Sequence, residues 1–215
     1  MPKTEPFEKH SEAYDEWFEK NRDLYEAELE AIRELIPPPE AEGMEVGVGS
    51  GKFAAPLGIK IGVEPSEKMA IKARKRGITV YPGIAEDLPF PDGRFDFVLM
   101  VTTICFVDDV IKSFVEAFRV LKPGGCIIVG FVDKESKLGR HYAGKREESK
   151  FYKEATFFSA QEVLKYLEEA GFRSVRIKQT LIPGVSPETI FDGFGKGAFV
   201  AIRGVCRGVK SADDS

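Results

Sequence analysis

The stretch Met44-Glu45-Val46-Gly47-Val48-Gly49-Ser50-Gly51 sets an acidic residue and three glycines at alternate positions on the end of a short apolar run. A turn of this composition is built to hold a ligand against bare backbone. Glycine supplies the φ freedom and lacks the Cβ that would keep main-chain N–H groups away from a bulky molecule. A helix following the loop adds its dipole. The tenant such a loop suits is a nucleoside-containing cofactor, and spacing separates the candidates. A dinucleotide fingerprint needs G-x-G-x-x-G, and Lys52 stands where the third glycine belongs. A phosphate-cradling P-loop fails as well, because Gly51-Lys52 is followed by Phe53 and the position five residues before Gly51 is Val46.

Outward from the loop, strand-like runs at 43–48, 60–64, 78–81, 95–101 and 126–132 alternate with helix-like runs at about 52–57, 66–76 and 108–121. Strands alternating with helices under short connections imply right-handed crossovers and a mostly parallel sheet covered on both faces. The expected fold is therefore α/β, doubly wound, in three layers. Before it, Tyr14, Trp17, Phe18, Tyr25, Leu29, Ile32 and Leu35 keep close to a 3.6-residue period until Pro37-Pro38-Pro39 ends it, which predicts one long helix or two. After it comes a polar and aromatic stretch at 133–158, then a helix at 159–170 stopped by Gly171. Two further strands, 173–180 and 197–203, bring the sheet to seven; the loop at 183–195 lets the last run antiparallel. The organisation expected is a helical segment at 1–39, a domain at 40–208 with an insertion at about 133–158, and a frayed tail at 209–215.

At 215 residues and 43% hydrophobic content, one domain can bury a full core. The net charge of −4 removes the basic footprint of a protein that grips nucleic acid through phosphates, which favours a small-molecule partner. The opening Met1-Pro2-Lys3-Thr4-Glu5 is charged, and no apolar run approaches the ~18 residues of a membrane span, so the expectation is a cytoplasmic protein, monomer or homodimer. Cys105, Cys126 and Cys206 are odd in number and too dispersed for a metal knuckle, and read as buried thiols with no metal called for. Charge of both signs is abundant, while Asn21 is the only asparagine and Gln161 and Gln179 the only glutamines, a bias that favours a heat-tolerant origin.

In an open α/β sheet, ligands bind beyond the carboxyl ends of the strands, so the loops there are read together. After the second strand Glu64-Pro65-Ser66 follows, with an acid thirteen residues past Gly51 that can take both hydroxyls of a ribose. After the third comes Gly83-Ile84-Ala85-Glu86-Asp87-Leu88-Pro89-Phe90, placed to flank a purine, and the fourth ends in Met100-Val101-Thr102-Thr103 beside the glycine loop. With Glu45-x-Gly47-x-Gly49-x-Gly51, Val63-Glu64-Pro65-Ser66 and Met69, Ala85-Glu86-Asp87-Leu88-Pro89-Phe90, Phe95-Asp96-x-Val98 and Arg119-Val120-Leu121-Lys122-Pro123-Gly124-Gly125 in this order, the chain resembles a class I S-adenosylmethionine-dependent methyltransferase, of the subgroup that includes the quinone-biosynthesis enzymes.

That resemblance, which runs from about Tyr14 to Gly171, implies a Rossmann-like methyltransferase fold, S-adenosylmethionine as cofactor and S-adenosylhomocysteine as product. It implies that Gly47, Gly49 and Gly51 border the methionine part, that Glu45 supports the loop and the methionine amino group, and that Glu64 holds the ribose hydroxyls. It puts Met69 near the adenine, Ala85 and Glu86 along its edge, and Pro65 and Val101 beside them. One departure is Ile84, where many relatives carry an acid that accepts from the adenine amino group. On the acceptor side, Tyr14 and Trp17 read as packing of the first helix or as a lid over the cofactor. Tyr142, Phe151, Tyr152, Phe157 and Phe158 suggest a partly apolar substrate wall, and Lys137, Arg140, Lys145 and Arg146 could favour an anion, diluted by Glu147 and Glu148. Methyl transfer from a sulfonium is an in-line displacement with a neutral leaving group, and no obligatory catalytic signature is needed. If a general base helps an N, O or C nucleophile, His141 is the candidate. The alternatives are a non-catalytic S-adenosylmethionine-binding protein and, further off, an NAD-linked oxidoreductase.

Overall fold

The computed structural model describes residues 3–206, so the expected tail at 209–215 lies outside the described residues. Two helices lead in, α1 (Glu5–Lys20) and α2 (Arg22–Arg33), separated at Asn21, and α1 itself kinks at His10, whose φ of −124° and ψ of 27° leave the helical region. The sheet follows as β1 (Gly43–Val46), β2 (Ile61–Val63), β3 (Thr79–Tyr81), β4 (Phe95–Val101), β5 (Leu121–Val132), β6 (Phe172–Thr180), β7 (Phe191–Asp192) and β8 (Phe199–Cys206). Between strands lie α3 (Glu67–Lys75), α4 (Val110–Val120), α5 (Lys137–Gly144) and α6 (Ala160–Glu169), with short 3-10 turns at Arg146–Glu148 and Tyr152–Glu154.

The strand order is β3-β2-β1-β4-β5-β8-β6-β7. From β3 to β5 all neighbours pair in parallel, while β8 runs antiparallel to both β5 and β6. The expected doubly wound sheet is thus present, with an eighth, two-residue strand, β7, added at the edge by the Pro/Gly loop. Period-2 alternation splits β5 between the two faces: Ile127, Val129 and Phe131 pack with Phe114 of α4 and Leu167 of α6, whereas Cys126 and Ile128 pack with Ile32 of α2 and Ala70 of α3. All three cysteines are buried and free, as read from the sequence.

Two local expectations are corrected. Residues 52–57 form a succession of turns rather than a helix, because Pro56 has no N–H to give and the flanking bonds mix spacings, with Ala55 donating to Gly51, Gly58 to Ala55 and Ile59 to Ala54. No helix dipole therefore backs the glycine loop. The fifth strand also begins before the expected 126: residues 122–125 bulge within β5, whose pairing to β4 shifts between Phe95 and Phe97.

The chain runs outward from β1 in one direction and from β4 in the other, so the switch point lies between these two central strands. Their carboxyl ends open a crevice there. No helix of the described residues is long and apolar enough to cross a membrane.

Candidate active site

A cavity of about 170 Å³ opens at this switch point. One side of it is made by strand ends. Gly47 and Gly49 follow β1 with φ of 68° and 54°, in the left-handed region that favours glycine, and a Cβ on Gly47 would fall 2.5 Å from the Thr103 side chain. Thr103, just past β4, donates its hydroxyl to the Val46 and Val101 carbonyls at 3.1 Å, which locks the ends of β1 and β4 together. Gly51 plays a different part. It is buried away from the cavity, and a Cβ there would meet Ile78 at 2.5 Å and the Ala73 backbone at 3.3 Å, so it lets the loop pack on α3.

The loop's amides are already committed. Gly47 and Val48 donate to the Val63 carbonyl at 2.8 and 3.1 Å, Gly51 donates to Val48 at 2.8 Å, and Gly49 donates to Glu64 Oε2 at 2.9 Å. A pyrophosphate site needs such N–H groups aimed at the ligand, and a helix N-terminus behind them. This loop provides neither at those four positions, which argues against a dinucleotide on the structure itself.

Glu64, at the end of β2, takes the Ser66 amide on Oε1 at 2.9 Å and the Gly49 amide on Oε2, so both oxygens are fixed in place. Burial pushes its carboxyl up to about 7 against the pull of those two amides. Each oxygen keeps a second lone pair. A vicinal diol, with two O–H donors, fits that carboxyl and returns the hydrogen bonds its burial removes. Glu45 lies behind the loop and does not line the cavity. It is 2% exposed and its Oε2 has no hydrogen-bond partner. Burial pushes its carboxyl well above the ordinary range; the Ala54 amide pulls it back and the Glu64 charge adds to the rise.

Pro65, Met69, Ala85, Glu86 and Val101 all line the cavity, as do Tyr14, Trp17 and Tyr142. Glu86 spends Oε1 on the amides of Asp108 and Asp109 at 2.7 and 3.1 Å, bracketing its loop to the start of α4. Arg119 holds the same loop from below, donating to the carbonyls of Phe90 and Leu88, while Glu116 accepts from the Leu88 amide. The motifs around Leu88 and Arg119 are thus two halves of one clamp. Ile84 also lines the cavity.

The opposite side is made by the flanking segments. Tyr152 stacks on Tyr142 at 5.4 Å and on Phe106 at 6.1 Å, and Phe151 meets Phe7 and Tyr14 at 5.8 and 6.0 Å. His141 is not part of this wall. It sits on the exposed face of α5, one residue and about 100° around the helix from Tyr142, and does not line the cavity. Nor do Lys137, Arg140, Lys145 and Arg146 line it, so the expected anionic preference has no support there. Sequence reading missed Glu28, an acid on α2 that lines the cavity while 5% exposed. The signal was present, since Glu28 lies in the same stripe as Tyr25, Leu29 and Ile32.

Helix α1 is strapped over the glycine loop and α3. The Ser66 hydroxyl donates to Glu8 and the Ser50 hydroxyl to Asp15, both at 2.6 Å, Lys72 donates to the Ser11 carbonyl, and Arg76 pairs with Asp15.

A family model for a methyltransferase domain matches residues 44–129. A Thermotoga maritima protein of known structure, described as a SAM-dependent methyltransferase and possible histamine N-methyltransferase, is 50% identical over 95% of this chain and 100% of that one, with a TM-score of 0.91. An uncharacterized protein of Methanocaldococcus jannaschii is 47% identical over 91% of this chain and 96% of its own. A 2-methyl-6-phytyl-1,4-hydroquinone methyltransferase of rice is 32% identical over 62% of this chain and 40% of its own. The chain belongs to the class I S-adenosylmethionine-dependent methyltransferases, with S-adenosylmethionine as its cofactor.

Proposed function

We propose that the enzyme methylates a nucleophilic atom of a small molecule, and that the two sides of the cavity divide the work. On the strand-end side, Glu64 holds the ribose hydroxyls, Gly47 and Gly49 give the methionine part its close approach, and Pro65, Met69, Ala85, Glu86 and Val101 enclose the adenosine. With Glu86 bracketing α4 and Ile84 apolar, the adenine is held by shape and backbone more than by an acid on its amino group. Glu45 acts from behind, fixing the loop. On the other side, Tyr14, Trp17 and Tyr142 contact the acceptor and shut out water.

The observation that carries this reading is that Glu64 and the aromatic shell line one and the same cavity. S-adenosylmethionine, when bound, supplies a methyl group on a sulfonium whose leaving group departs neutral, so alignment and exclusion of water are the main tasks of the protein. The aromatic faces suit both tasks and favour a nearby cation. The half-identical Thermotoga relative, with its description as a possible histamine N-methyltransferase, makes nitrogen the first acceptor atom to try. An acidic protein of this size with a small-molecule cavity fits a monomer or homodimer in the cytoplasm, and its charge-rich, amide-poor composition fits a heat-tolerant source. The test is turnover: purified protein incubated with S-adenosylmethionine and a small-molecule pool should release S-adenosylhomocysteine. Release that requires a protein or nucleic-acid fraction would contradict the small-molecule reading.

A further inference from the structure

Three carboxylates line the cavity, Glu28, Glu64 and Glu86. Two of them are held by backbone amides, Glu64 by Gly49 and Ser66, and Glu86 by Asp108 and Asp109. Glu28 differs. Among the described residues no hydrogen bond or ion pair holds its carboxyl, although the residue is 5% exposed. Burial pushes that carboxyl up to about 8, and no cation offsets the rise, Lys3 of the cavity lining included. Its carboxyl opens to the cavity and is bonded by none of the described residues, so its retention there points to a ligand that completes it.

The surroundings state which ligand. The ionisable groups that feel the Glu28 charge are the phenols of Tyr14, Tyr142 and Tyr152, all held neutral by burial. Tyr142 and Tyr152 belong to the aromatic side, while Tyr14 reaches across the cavity, its hydroxyl beside Gly49 and its phenol feeling Glu45 and Glu64 before Glu28. Aromatic rings sharing a cavity with one carboxylate suit a cation: the rings shut out water and tolerate its charge, and the acid offers a charged acceptor. A neutral acceptor could give the acid a hydrogen bond but no charge to pair with, and an anionic one would oppose its carboxylate.

Resting on the methyltransferase reading above, we propose that Glu28 is the acceptor-side acid and that the acceptor it selects is a small amine, held as its ammonium by the Glu28 carboxylate inside the ring of Tyr14, Trp17, Tyr142 and Tyr152. Within this enclosed pair the carboxylate takes one proton from the ammonium nitrogen, leaving a neutral carboxylic acid and a neutral amine whose lone pair is free to attack. Glu28 thereby does the work that the exposed His141 is not placed to do.

The test uses calorimetric titration of the full chain and of Glu28→Gln. Both are first titrated with S-adenosylmethionine and S-adenosylhomocysteine. They are then saturated with S-adenosylhomocysteine and titrated with a panel of small aliphatic and arylalkyl amines, each beside the alcohol and the carboxylate of the same skeleton. The expected result is equal affinity of the two proteins for both adenosyl ligands, at least one amine binding the natural protein about tenfold tighter than its alcohol, and loss of that preference in Glu28→Gln. The proposal is overturned if no amine of the panel is preferred over its alcohol. It is equally overturned if Glu28→Gln weakens S-adenosylmethionine alone or both adenosyl ligands, since Glu28 then pairs with the sulfonium or with the methionine ammonium. Should the variant fail to fold, the preference order of the natural protein decides by itself. Failure of the natural protein to bind either adenosyl ligand would instead strike the cofactor reading and is seen in the first titration.

Discussion

The two sides of the cavity are built from different material. The strand-end side, from Gly47 to Glu86, is shaped by backbone: glycines at positive φ, loop amides spent on Val63, Glu64 and Val48, and carboxylates fixed by main-chain N–H groups. The other side is shaped by side chains on α1, α2, α5 and the 3-10 turns, all outside the alternating strand–helix core. A backbone-defined wall is a property of the fold, and tolerates one ligand class. A side-chain-defined wall can change its acceptor by substitution while the sheet stays as it is.

The largest expected effect tests the backbone side. Gly47→Val forces a β-branched residue to positive φ and drives its Cβ into Thr103, which should cost about 3–4 kcal/mol in denaturant unfolding and abolish binding of S-adenosylhomocysteine. A variant as stable and as competent as the natural protein would show that backbone shape does not define this wall.

The next effect sharpens the other side through pH. In the folded protein burial holds Glu28 protonated up to about 8, whereas in the unfolded chain it titrates near the ordinary 4.5. The native state therefore binds the extra proton between those values, and this contribution to stability is full below about 4.5 and is lost as pH rises through about 8. Glu64, pushed up to about 7, has the same sign, and the burial-raised phenols of Tyr14, Tyr142 and Tyr152 stay neutral throughout. Without ligand, Glu28→Gln should accordingly gain on the natural protein by about 1.4 kcal/mol per pH unit within that window, some ~3 kcal/mol between pH 5.5 and 7.5. A difference that does not vary with pH would mean that Glu28 is solvated.

The division also explains what the sequence made legible. Motifs at Gly47, Glu64 and Ala85–Glu86 could be read because each backbone shape there demands one residue type, and the cavity collects them. Residues 52–57 were misread because apolar spacing alone does not register that Pro56 lacks an N–H. Glu45 was grouped with the site although its side chain lies behind the loop, since strand alternation turns it away from the cavity lined by Val46. The acceptor side gave only its aromatic content. His141 and Tyr142 are neighbours in sequence, and only the helical phase of α5, invisible in so short a segment, sends one outward and the other to the cavity. Glu28 was passed over because an acid on a helix defaults to solvent, and only the fold brings it into one cavity with Tyr142 and Tyr152.

The smallest effect concerns the strap that joins the two sides. Asp15→Ala removes the acceptor of the Ser50 hydroxyl and the partner of Arg76, and should cost about 1 kcal/mol while speeding amide exchange in α1 but not in β4. Unchanged exchange in α1 would show that the strap carries no load.

The most direct test of the central claim, that Glu64 and the glycine loop hold S-adenosylmethionine, is calorimetric titration of the natural protein and of Glu64→Ala with S-adenosylmethionine, S-adenosylhomocysteine and NAD. The expected result is micromolar binding of both adenosyl ligands, no binding of NAD, and at least a tenfold loss in a variant whose circular dichroism shows it folded. Unchanged affinity in that folded variant, or binding of NAD alone, would contradict it.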